Sequence, residues 1–147
     1  MDINTNLYQV EYVDLKDICF IHNAQTINKS DDYFSIKKNG LSAGSLSFKS
    51  NTDNVAQNNY YFTIKNEKYN LYYVYYWLCN NKVKIDNLTN YTAAKSINMQ
   101  AIGNLSIPLL DSHIQDDIIV KYKYYDKLIE DLHNTNELLM NEIITTL

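Results

Sequence analysis

Arginine is missing from this sequence: all thirteen of its basic residues are lysines. That removes the usual bidentate reader of guanine, so any base recognition would fall to Lys, Asn, Gln, Ser, Thr and Tyr. With the abundance of Asn, Ile and Tyr, it also points to an AT-rich genome, viral or low-GC bacterial. The two cysteines, Cys19 and Cys79, stand alone with no CxxC spacing. They read as free thiols in a reducing compartment rather than as a disulfide. His22, His113 and His133 are scattered, with no HExxH, which excludes a zinc site. With only three glycines there is no GxGxxG, GxxxxGK[ST] or GxSxG, and no methyltransferase-like NPPY or DPPY. No catalytic constellation, cofactor or metal is expected. No apolar run is long enough for a membrane span and nothing reads as a signal peptide. The expected location is cytoplasmic, or intracellular in an infected host for a viral protein, with no membrane partner. The sequons at Asn28, Asn87, Asn90 and Asn104 are what chance gives in so Asn-rich a chain.

Proline is nearly absent too, and the one present, Pro108, divides two unlike stretches. Residues 1–107 hold ten Lys against nine Asp and Glu, a net +1; residues 108–147 hold three Lys against eight, a net −5. The chain's −4 therefore resides in the tail and does not exclude a basic face on the larger part. At 147 residues with 46% hydrophobic content, one folded domain plus an appendage is the default. The expected division is 1–108 and 109–147.

Before the proline, "LYQVEYVDLKDICFIHNA" reads as strand, a turn of helix at Leu15–Ile18 behind an Asp14 cap, then strand. "QTINKSDD" is a polar loop, and "YFSIKKNGLSAGSLSFKSN" is two strands around a turn carrying Gly40 and Gly44. "YYFTIKN" alternates as a strand, while "NLYYVYYWLCNN" is apolar on every side, hence a largely buried helix whose aromatics are core rather than a stacking platform. Lys37, Lys38, Lys49 and Lys65 could touch phosphates or be ordinary solvated strand ends.

Beyond the proline, Ile118, Tyr122, Tyr125, Ile129, Leu132, Asn136, Leu139 and Ile143 follow alternating steps of four and three. This heptad seam predicts a helix from about Ser112 to Ile144, about 50 Å long at 1.5 Å per residue. Asp116 and Asp117 then form a solvated face near its N-terminus, where the helix dipole favours them. Asn136 falls at an a position, where a buried Asn fixes register and partner number. So long a helix either folds back on its own domain or pairs with another; pairing is the expectation. The residues alone thus describe an α+β chain, a small β-rich domain followed by one long C-terminal helix that forms a dimer.

The junction "YTAAKSINMQAIGNLSIPLLDSHIQDDIIVKYKYYDKLIEDL" resembles that of type I restriction–modification specificity subunits. There a target recognition domain ends in a "T..KSI....L..L.IP.P" segment, followed by a Gln, an Ile–Val pair and a long helix. The matching residues are Thr92, Lys95, Ser96, Ile97, Leu105, Ile107, Pro108, Gln115, Ile119 and Val120. "VDLKDIC", "SAGSLSF" and "YYFTIKN…YYVYYWL" resemble the family's opening, hairpin and strand–helix. The chain departs from the pattern where Leu109–Leu110 replaces the second proline and where Ile114 precedes the Gln. It carries one recognition domain where the family protein carries two.

The resemblance implies a non-catalytic module that reads double-stranded DNA, with helices paired as an antiparallel coiled coil and a DNA methyltransferase subunit as a further partner. A half-length chain would recover two readers as a homodimer, through the seam Ile118, Tyr122, Tyr125, Ile129, Leu132, Asn136, Leu139 and Ile143. From polarity and position, the candidates for DNA contact are Lys37, Lys38, Ser45, Ser47, Lys49, Asn51, Tyr91, Lys95 and Ser96. The alternative is an interaction or structural protein of this fold that has lost DNA recognition and assembles through its helix.

Overall fold

A computed structural model of the chain describes residues 10–49, 55–90 and 95–146. The chain opens with β1 (Tyr12–Asp14), α1 (Leu15–Ile18) and β2 (Cys19–His22), as the sequence predicts. Asp14 stands at the start of α1, but its side chain does not cap the helix; Oδ1 accepts a 3.0 Å bond from the Ser106 hydroxyl instead. The hairpin is β3 (Phe34–Lys37) and β4 (Leu46–Phe48), followed by β5 (Asn59–Ile64). These strands form an antiparallel sheet in the order β2-β5-β3-β4.

The buried helix is α2 (Leu71–Asn80), capped by the Asn70 side chain, which accepts from the Tyr72 amide. It lies on one face of the sheet through aromatic contacts. Phe48 stacks on Tyr72 at 4.0 Å, and Phe34 stacks on Phe62 at 4.8 Å while meeting Tyr75 at 5.9 Å. The helix aromatics are therefore core. The opposite face is partly covered by Ile27 and Tyr33, which cluster with Tyr61. Strand β5 runs between two neighbours with cover on both faces, so Tyr60 to Thr63 are all buried and the polar–apolar alternation expected there is lost.

Short elements complete the head: α3 (Lys82–Asp86), the pair β6 (Thr89–Asn90) and β7 (Ser96–Ile97), α4 (Met99–Gly103) and β8 (Ser106–Pro108). Strand β8 pairs antiparallel with β1, Tyr12 opposite Pro108, so the chain enters and leaves the head side by side. Helix α5 (Ser112–Thr146) follows at once.

The joint at the proline is tightly built. The Tyr69 and Tyr73 hydroxyls donate to the carbonyls of Ile107 and Pro108 at 3.0 and 2.8 Å. Gln115, 1% exposed, accepts from the Asn70 amide at 2.8 Å and donates to the carbonyls of Lys68 and Leu110 at 2.9 and 2.8 Å. One amide side chain thus ties the start of α5 to the start of α2. Leu109 and Leu110 pack against the core, and Leu110 lines a cavity with Ile118 and Tyr122.

Candidate nucleic-acid interface

The turn between β3 and β4 is a loop hydrogen-bonded to its surroundings. Gly40 and Gly44 both adopt φ of 90°, a region that L side chains rarely enter. The Gly44 amide closes the hairpin onto the Lys37 carbonyl at 2.8 Å, and the Gly40 amide donates to the Lys95 carbonyl at 2.9 Å. Asn39 bridges Ser96, and the Ile97 amide reaches the Lys38 carbonyl at 2.8 Å. The hairpin turn and the segment before the junction, 58 residues apart at Lys37 and Lys95, are thereby laced together.

This sorts the residues predicted from sequence. Lys37, Lys38, Ser45, Lys95 and Ser96 converge on one end of the sheet. Lys37 Nζ donates to the Ser42 hydroxyl at 2.8 Å, and Lys38 Nζ lies 5.0 Å from the Tyr60 ring centre. Burial raises the Tyr60 hydroxyl pKa, and its proton goes to the Ile97 carbonyl at 2.9 Å. Among the described residues Lys37, Lys38 and Lys95 form no ion pair.

The other candidates separate from this group. Ser47 points outward midway along β4. Lys49 sits at the far end of the hairpin, its amide on the Tyr33 carbonyl, because β4 runs antiparallel to β3 and so leads away from the turn. Its ammonium is occupied by the carbonyls of Lys29 and Asp31 and lies 5.2 Å from the Tyr33 ring. Asn51 and Tyr91 lie outside the described residues, as does Thr92 of the junction pattern. Sequence reasoning missed Asn58, whose side-chain amide donates to the Asn39 carbonyl at 3.2 Å. It also missed Lys82 on α3, whose ammonium stands 3.2 Å from where a Cβ on Gly44 would lie and which pairs with Asp86. No local pattern marks either of them. The glycine spacing marks the loop they reach.

The predicted helical seam divides as well. Ile118 and Tyr122 pack against the chain's own head, where Tyr122 stacks on Tyr76 at 5.3 Å. The Tyr76 hydroxyl donates to Asp126 at 3.0 Å, and Lys123 lies 3.7 Å over the Tyr72 ring. From Lys127 to Thr146 every residue of α5 is exposed. Tyr125, Ile129, Leu132, Leu139 and Ile143 are between 44% and 65% exposed.

This two-part architecture has a counterpart among solved structures. The chain superposes on the S subunit of a type I restriction–modification system from M. genitalium with a TM-score of 0.72, at 15% identity, over 91% of this chain and 43% of that one. The chain has the fold of a type I S subunit. It spans less than half the length of that protein. No protein-family model matches the sequence, and no curated protein does. In S-subunit terms the small sheet with its buried helix is one globular head, and α5 is the long helix that follows it. Among the described residues no helix is long and apolar enough to cross a membrane.

Proposed function

We propose that this chain is a double-stranded DNA recognition module of the specificity-subunit type, non-catalytic, acting as a homodimer of two reading heads. The observation that carries the reading is the convergence of Lys37, Lys38, Lys95, Ser45 and Ser96 on one end of a head held on a long helix. Such a set can anchor phosphates through lysine and present hydroxyl and amide groups to base edges. The division at residues 108 and 109 makes the head the reader and α5 the spacer. A methyltransferase subunit is the further partner that fits a module without chemistry of its own.

The stripe on α5 supports pairing between copies. Each half-exposed Leu or Ile returns about 1 kcal/mol on burial. Summed over both copies this is on the order of 10 kcal/mol, comparable to the cost of association, so the dimer dissociates on dilution. Charge favours the antiparallel arrangement. The lysines of α5 are Lys121, Lys123 and Lys127, and the acids Glu130, Asp131, Glu137 and Glu142 follow with no lysine among them. Parallel helices would set every acid and every lysine against its own copy; antiparallel ones separate the lysines of the two copies and leave Asp131 facing Glu137 and Asp126 facing Glu142 of the partner subunit as the like-charged neighbours. The uncovered seam, Tyr125 to Ile143, has its midpoint at residue 134. Antiparallel pairing about that point brings Tyr125 opposite Ile143 of the partner subunit, Ile129 opposite Leu139 of the partner subunit and Leu132 opposite Asn136 of the partner subunit. Two heads related by a two-fold axis would read inverted half-sites separated by an unread spacer.

The test is selection of binding sites from random duplex DNA by the full chain at low salt, with and without a methyltransferase subunit, since phosphate contacts dominate affinity. The expected result is an enriched bipartite motif; no enrichment under either condition ends the DNA reading. The absence of arginine and the −5 charge of the tail favour a second reading, an assembly protein that pairs through α5 without reading DNA. It predicts the same dimer and no selected sequence.

A further inference from the structure

At the tip of the β3–β4 loop Leu41 is 99% exposed. The loop does not leave it there by slackness. Gly40 is tied through its amide to Lys95, and the Ala43 amide returns to the Gly40 carbonyl at 3.1 Å. Ser42 accepts at its carbonyl from the Ser45 amide at 3.1 Å and the Ser45 hydroxyl at 2.6 Å, and at its hydroxyl from Lys37. Ala43, 2% exposed, is plugged into the head. Each neighbour of Leu41 is therefore held, and the leucine side chain is held out. Four lysines belong to the loop and the segments tied to it. Lys37 is bonded to the loop, and Lys38 and Lys95 flank its base. Lys82 sits beside Gly44 with its partner Asp86. An aliphatic side chain held out from a loop whose neighbouring segments carry lysines suits an apolar feature within a polyanion.

We propose that Leu41 is a specificity-determining residue that contacts the C5-methyl group of thymine in the major groove. The assignment rests on the DNA reading proposed above and names one of its base contacts. The thymine methyl is the apolar feature that the groove edges of B-DNA present, and aliphatic side chains recognise it by contact alone. The other role of a protruding apolar residue, a wedge between base pairs, must first separate a stacked step. That cost is similar to what burying one leucine returns, so a lone leucine gains little as a wedge. Contact with a methyl group requires no unstacking. The lysines then set the depth by meeting phosphates on either side of the groove.

The experiment uses the full chain and the variant Leu41→Ala, which removes a side chain with no packing partner and leaves the fold intact. Each thymine of the selected motif is replaced in turn by deoxyuridine, which lacks only the methyl group. Wild-type affinity is expected to fall roughly three- to tenfold at one position of each half-site, while Leu41→Ala is indifferent there. If no thymine matters to the wild type, or if both proteins respond equally, Leu41 is not the methyl reader. Fluorescence of 2-aminopurine beside the site that rises with the wild type and not with Leu41→Ala would assign the wedge instead, overturning the proposal. A motif that ignores deoxyuridine removes Leu41 alone, whereas failure to select any motif removes the DNA reading and the Leu41 contact with it.

Discussion

The head and the outer part of α5 use the same residue type in opposite ways. In the head, tyrosines are fasteners. The hydroxyls of Tyr60, Tyr69 and Tyr73 each donate to a backbone carbonyl more than thirty residues away, joining segments far apart in sequence, and that of Tyr61 closes a local loop onto Ala56. On α5, Tyr124 and Tyr125 stand exposed, meeting each other at 5.8 Å. The head closes its own core and, among the described residues, leaves only the Thr89 hydroxyl buried without a hydrogen-bond partner. The helix beyond Tyr125 has an apolar stripe and no head to cover it. The first packs within one chain; the second, on the pairing proposed above, would pack only against another helix.

The largest predicted effect strikes the helix alone. Ile129→Glu combined with Leu132→Glu would place four carboxylates in the seam of a dimer. Light scattering is expected to show the mass halved, while the near-UV signal and unfolding transition of the head persist; an unchanged mass would refute the seam pairing. Next comes the joint between the regions. Gln115→Ala strands one amide and two carbonyls in a buried place and should cost about 2–4 kcal/mol in denaturant unfolding. Were the loss near zero, the clamp between α5 and α2 would be ornamental.

The third prediction separates the regions by pH. Burial and the negative charge of Glu11 push the Tyr69 hydroxyl up to about 12, and burial raises Tyr73, Tyr75 and Tyr76 as well. A raised pKa means the folded head keeps its protons after the unfolded chain has released them. Stability is therefore level below pH 10, the ordinary tyrosine value, and falls as pH rises through 12. Urea midpoints for the head measured from pH 8 to 11 should drop only at the alkaline end, and Tyr69→Phe should lessen the drop. The smallest effect sharpens the interface. Lys38→Ala should weaken DNA binding about three- to tenfold on all sequences and lower the salt slope by about 0.9, whereas Lys49→Ala changes the slope little. Equal slopes for the two variants would reunite the lysines that the hairpin separates.

Much of this was legible where pattern is local. The turn of helix at Leu15–Ile18, the hairpin about Gly40 and Gly44, the buried α2 and the start of α5 at Ser112 all follow from periodicity and breakers. What was not legible is contact across the chain. Nothing near Gln115 says that it will hold Lys68, Asn70 and Leu110 at once, and nothing near Tyr12 says that it will pair with Pro108. The candidate interface was half legible for the same reason. Polarity selected Lys37 and Lys95, but only the backbone bonds from Gly40 and Ile97 bring them together. Lys49 looked equivalent by composition and is not, because strand direction sets it at the other end. Ile118 and Tyr122 fit the heptad yet face the head, since α5 must lie on α2 before it can leave it.

The pairing of β1 with β8 has one more consequence. Entry and exit of the head are the two strands of one ladder, Tyr12 paired with Pro108. Seen from the shaft, everything between those ends is a cartridge, and in the homodimer proposed above whatever is fitted there would inherit the shaft's length and symmetry. A different cartridge on the same shaft would change what is read while leaving the distance between readings as it was.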